Sequence, residues 1–130
     1  MENKKPPDFD WVTARAKCST AVLFEQLQAD VEQDAARARE LMDEGYSLEV
    51  KRYSDRMILV ILADNLGVAE SIRFKLENNA IMVTRRDDVE IMRGVPTISD
   101  DKQCRLLVDG KERELWQFRK LALEGLFFRW

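Results

Sequence analysis

The chain offers few residues that could carry covalent chemistry. In 130 residues it has no histidine and two cysteines, Cys18 and Cys104. A serine or cysteine nucleophile draws its reactivity from a neighbouring base, most often histidine. Ser-His-Asp and Cys-His machinery is therefore excluded. Two separated cysteines cannot complete the four-ligand set of a structural zinc site, and they form no C-x-x-C pair. The N-terminal residues Met1-Glu2-Asn3-Lys4-Lys5-Pro6-Pro7 place no apolar run behind their lysines, and neither end carries a lipidation box. The expectation is a cytoplasmic protein whose two cysteines are free thiols.

Oxygen chemistry is equally sparse. Asp87-Asp88 and Asp100-Asp101 lack the spacing of a calcium loop and fall where aspartate serves local turns. The five glycines make no phosphate-cradling motif. No metal and no cofactor is expected. Glu70 is the most informative single carboxylate, because it shares the parity of Val68, Ile72, Phe74 and Leu76 and would face a core unless a strand end or bulge turned it outward. Arg73 and Lys75 share the opposite parity, with Lys51 and Arg85 or Arg86 close enough to extend a basic ridge that could hold an anion. Glu70, Arg73, Lys75 and Arg85 are thus the candidate ligand-binding residues.

The overall charge balance narrows the partner classes. The net charge is −3, with 35% charged and 45% hydrophobic residues. That composition suits a folded domain with a well-solvated surface, and it argues against a general affinity for nucleic acid, which usually shows as a basic domain. No stretch approaches the roughly 18 apolar residues of a membrane helix. A chain of this length buries about two-thirds of its unfolded surface, enough for one core without staples. Residues 1–9 read as a tail and residues 10–130 as a single domain.

These candidates must be positioned by elements that the hydrophobic period reveals. Phe24, Leu27, Val31, Ala35, Ala38 and Leu41 or Met42 recur in steps of three and four, the stripe of an amphipathic helix ending near Gly45. Its start has two solutions. Asp10 could cap one long helix, or Ser19 or Thr20 could cap a second helix behind a short first one. After Gly45 the period changes to two. Met57–Leu62 is a continuous apolar run, the mark of a central strand covered on both faces. Turns are expected at Ser54-Asp55, Asp64–Gly67, Asn78-Asn79, Asp87-Asp88 and Asp109-Gly110. Val89 and Ile91 make a short strand ending at Arg93-Gly94, with Pro96 in an irregular or edge segment. Residues 111–115 could pair back as a strand, and helical spacing resumes from Leu115 through Phe118, Ala122 and Leu126. Short links between strands force antiparallel pairing. The fold class is α+β: a long N-terminal helix on an antiparallel sheet of five to six strands, with a C-terminal helix.

Two further features bear on partners. Between Glu25 and Glu44 the helix carries seven acidic residues against Arg37 and Arg39. That face is either simply solvated or matched to the basic sheet of a second subunit. At the other end, Leu126-Phe127-Phe128-Arg129-Trp130 is unusually apolar for a chain end. With Trp116 and Phe118, these side chains could cover the second face of the sheet or mark a dimer surface. Trp116, Phe127, Phe128 and Trp130 are the candidate interface residues. The functional expectation is a non-enzymatic protein-interaction or binding module acting as a homodimer, with self-association or another protein as partner. The alternative is an anionic small-molecule site, or an enzyme site, between helix and sheet.

Overall fold

Asp10 and Ser19 each cap a helix, so the N-terminal helical region is two helices rather than one. The computed structural model describes residues 8–67 and 69–128. Most of the expected tail, together with Val68 and Trp130, lies outside them. Helix α1 (Trp11–Lys17) begins where Asp10 Oδ1 accepts the Thr13 amide at 3.0 Å. Helix α2 (Thr20–Leu41) begins where Ser19 Oγ accepts the Val22 amide at 3.2 Å. These side chains satisfy amides that a helix leaves without an internal partner. The 22 residues of α2 span about 33 Å at 1.5 Å per residue. The helix stops three residues before the expected end, and Gly45, at φ +94°, serves the turn into the first strand instead.

Seven strands follow: β1 (Ser47–Ser54), β2 (Met57–Ala63), β3 (Ala69–Leu76), β4 (Ile81–Arg85), β5 (Glu90–Ile98), β6 (Cys104–Val108) and β7 (Lys111–Arg113). They form one antiparallel meander in chain order. The strand count exceeds the expected five to six because the run after Asp109-Gly110 does pair back, with both turn residues at positive φ. The Asn78-Asn79 hairpin exists, but neither asparagine takes positive φ, and the turn closes instead through Glu77 N–H to the Ala80 carbonyl at 2.8 Å. Helix α3 (Leu115–Phe127) completes the chain, its first residue where the spacing placed it.

β5 differs most from expectation. It does not end at Gly94 but runs on through Pro96. Its first half pairs with β4 as far as Gly94, and Val95–Ile98 pair with β6. Past Gly94 the edge toward β4 is open, the setting in which a strand tolerates a residue without an N–H.

Strand parity decides what is buried. Leu48, Ile58, Val60, Leu62, Ile72, Phe74, Ile81, Val83, Leu106 and Val108 share one face and join the core with Phe24, Leu27 and Val31 of α2 and Phe118 of α3. The Phe74 and Phe118 rings stand 6.3 Å apart, within the range of a tilted aromatic contact. Both α2 and α3 therefore lie on the same side of the sheet. β2 is consequently not enclosed on two faces, contrary to its uniform apolar sequence. Ile58, Val60 and Leu62 are buried, while Met57, Leu59, Ile61 and Ala63 are half-buried on the outer face. Leu59 pairs with Arg73 on one side and Lys51 on the other, and Met57 pairs with Lys75. The stems of such long cations can shield apolar neighbours while their charged ends stay in water.

The cysteines are also corrected. Cys18 and Cys104 form a disulfide with a Cα–Cα distance of 5.6 Å across 86 residues of sequence. The free-thiol expectation rested on compartment alone. The fold brings the start of α2 beside the start of β6, which no local pattern could reveal.

Candidate interaction surface

The acidic helix expected to present its charges outward has many of them matched within the chain. Arg52 of β1 donates to Glu25 at 2.9 Å and to Gln28 on α2, and to the carbonyls of Ser54 and Asp55 at 2.6 and 2.7 Å. Its guanidinium also sits 5.0 Å from the centre of the Phe24 ring. Arg119 of α3 donates to Asp34 at 2.6 Å and Asp30 at 3.3 Å. Arg39 donates to the Leu48 carbonyl at 2.8 Å, and Arg37 pairs with Glu40 at 2.9 Å. Four of the seven acidic residues, Glu25, Asp30, Asp34 and Glu40, thus have an arginine partner. The planar fork of arginine suits such multiple contacts.

The Arg119 pairs hold α2 and α3 side by side, and a groove of about 360 Å³ opens between the helices. Phe127 and Leu123 are buried in its wall, while Leu41, Trp116 and Phe128 line it with exposures of 56%, 52% and 64%. The Trp116 indole donates to Glu114 Oε2 at 2.7 Å, which satisfies its only polar atom and limits the ring's freedom. Glu114 N–H in turn donates to Gln117 Oε1 at 2.9 Å, closing the first turn of α3. Lys120 and Glu124, 3.3 Å apart, neutralise each other on the rim.

Trp116, Phe127 and Phe128 therefore gather on one groove, with Phe127 buried in it and the other two open. Trp130 lies outside the described residues. The helical period left the last place of the buried stripe to Leu41 or Met42, and it did not single out Leu41 as a groove residue. Met42 fills the last place of the stripe, packed half-buried against the core although its backbone already leaves helical geometry with ψ +154°, and Leu41 turns outward. Sequence reasoning also missed Arg119, a charged residue inside an apolar helix pattern. Its only sequence signal was the acidic pair Asp30 and Asp34 one turn apart on α2.

The candidate ligand residues do not converge. Arg73 and Lys75 lie on the outer sheet face, both directed at Asp88, at 3.7 and 2.7 Å. Hydrogen bonding and charge from Lys75 hold the Asp88 carboxyl below its ordinary range. Glu70 and Arg85 take the opposite face. Glu70 is half-buried at the start of β3 in regular register with Leu62, so no bulge turns it outward. Arg85 is exposed and pairs with Asp87 at 3.3 Å. These two line two clefts, one of about 450 Å³ with Arg86 and Asp87 and one of about 280 Å³ at the sheet rim beside Leu121 and Leu126 of α3, and neither includes Arg73 or Lys75. Between α2 and the sheet the space is filled by Phe24, Phe74, Ile58 and Val60, all fully buried. Among the described residues no group of three or more Cys, Asp or Glu is arranged to hold a metal ion, and no helix is long and apolar enough to cross a membrane.

No protein-family model matches the chain. Neither does any curated protein or solved structure. The functional reading therefore rests on surface chemistry alone.

Proposed function

We propose that the chain is a non-catalytic protein-interaction module that self-associates as a homodimer through the α2–α3 groove. The observation that carries this reading is the exposure of Trp116, Phe128 and Leu41 around one cavity. Aromatic anchors in pockets supply most of the binding energy in protein interfaces. The outer sheet face is the weaker candidate, because its apolar row is half-buried beside the Lys51, Arg73 and Lys75 side chains.

Charge favours a second copy as the occupant. A two-fold interface sets each patch against itself, so a patch of one sign would repel its own copy. Here the rim charges are matched within the chain: Arg37 with Glu40, Lys120 with Glu124, and Arg119 with Asp30 and Asp34. The groove has no dominant sign to select an oppositely charged partner. The cytoplasmic setting stays part of this reading, with the Cys18–Cys104 bond formed transiently there, as disulfides are in reducing compartments.

Light scattering during size-exclusion chromatography tests the proposal. The wild-type mass should approach twice the 15.2 kDa of one chain as concentration rises. Trp116→Glu and Leu41→Glu should each give a folded monomer by circular dichroism. A wild-type monomer at every concentration excludes a second copy as the occupant. Dissociation by Leu59→Lys but not by Trp116→Glu would move the interface to the sheet.

A further inference from the structure

Helix α1 is held more weakly than the elements around it. It has seven residues, none of them buried. Trp11 and Val12 are 63% and 60% exposed. Beside the disulfide, its neighbourhood offers a shallow cavity in which Phe9, Trp11 and Arg15 face Thr97–Asp100 and Lys102, and the Lys102 ammonium 5.5 Å from the Phe9 ring centre. Cys18, the residue that ends α1, is 1% exposed and bonded to Cys104 of β6, itself exposed. By contrast, α2 keeps five buried residues, its own Ser19 cap and its arginine clamps, none of which involves α1.

We propose that the Cys18–Cys104 disulfide is a redox-operated latch for α1. Oxidised, it pins α1 over the corner where β5 turns into β6. Reduced, it frees residues 8–17 while α2 and the sheet stay folded. A helix this short is marginal on its own in water, so the released segment melts. Release also admits water to the Ser99 hydroxyl, which is buried at this corner with no hydrogen-bond partner among the described residues.

The exchange step needs a dithiol reductant. One thiolate of the dithiol attacks Sγ of Cys104, the more exposed of the two cysteines, and the S–S bond breaks. Cys18 leaves as a thiolate and takes a proton, and Cys104 remains in a mixed disulfide. The second thiol of the dithiol, as thiolate, then displaces the Cys104 thiolate, which is protonated. The dithiol ends as a disulfide, oxidised by two electrons, and the protein ends with two thiols.

Hydrogen exchange read by mass spectrometry on the full chain, with and without dithiothreitol, tests the latch. In the oxidised protein the α1 amides should be protected. On reduction they should exchange at close to the unfolded-chain rate, while amides of residues 24–38 and 57–62 remain protected. Some acceleration of those core amides is expected, since the 86-residue separation means the bond also restricts the unfolded chain. Cys104→Ser should show the released pattern with no reductant and no further change on adding it. Three results would overturn the proposal. The first is α1 protection that persists after reduction. The second is loss of protection to the unfolded-chain rate in α1, α2 and β2 together, in the reduced wild type or in Cys104→Ser. The third is alkylation of both cysteines in the air-oxidised protein.

Discussion

A β-carbon placed on Gly94 would lie 2.8 Å from Cε1 of Phe118. The missing side chain of this strand residue thus leaves the space that the Phe118 ring of α3 occupies against the sheet. Leu106 stands 3.3 Å from the same point, so two core side chains would have to move together. Gly94→Ala should destabilise the protein by about 1–3 kcal/mol, the cost of overpacking a filled core. Urea unfolding would read this as a lower midpoint at unchanged slope. Phe118→Ala removes the other partner and should cost about 3–5 kcal/mol.

The contact between Arg119 and Asp34 predicts a coupling between helices. Their side chains are 17% and 34% exposed, so the pair falls between the near-zero value of exposed ion pairs and the large cost of breaking buried ones. Arg119→Ala should cost about 1–3 kcal/mol. A double-mutant cycle with Asp34→Ala should leave a coupling of about 0.5–2 kcal/mol. Strict additivity would show that the apolar contacts alone hold α3 against α2.

Arg52 should not be replaceable by lysine. Its guanidinium reaches two backbone carbonyls, Glu25 and Gln28 at once, whereas an ammonium is a single point without the planar fork. Arg52→Lys should cost about 1–2 kcal/mol, reflecting lost hydrogen bonds to a charged donor. Thermal unfolding compared with Lys51→Arg, a neighbouring outer-face control, would check this. The control should leave the melting temperature essentially unchanged.

Acid should weaken the β4–β5 turn. The folded Asp88 carboxyl lies below its ordinary value of 3.8, chiefly through hydrogen bonding from Lys75 and then through its charge. The carboxylate form is favoured by folding. Its contribution is complete above the ordinary value and is lost as pH falls through the lower folded value. A carbon-detected NMR titration should place the Asp88 midpoint below that of an unstructured aspartate. Lys75→Met should bring it back up, and should reduce the stability lost by acidifying below pH of about 4. An Asp88 midpoint unmoved by Lys75→Met would refute the assignment.

Much of this molecule was legible locally. The steps of three and four from Phe24 to Ala38 define the buried stripe of α2. The alternation through Ile72 and Phe74 assigns their strand faces, and Asp109-Gly110 marks a tight turn. Each depends on residues a few positions apart, whose relative directions are fixed by helix or strand geometry before any tertiary contact forms. The candidate site was half legible. Trp116, Phe127 and Phe128 stood out as apolar residues near the end of the sequence, but Leu41 and Arg119 did not, because their neighbours in the groove are distant in sequence.

Tertiary structure alone decided the rest. The uniform apolarity of Met57–Leu62 could not say that both helices would pack on one face, since a strand's composition does not record which layer arrives. The acidic run of α2 could not say that Arg52 and Arg119 would meet it. Nor could Cys18 and Cys104 announce their bond across a sequence separation of 86. Chain periodicity orients side chains within an element. Which elements then meet, and whether a charge or thiol finds a partner, depends on the path of the whole chain.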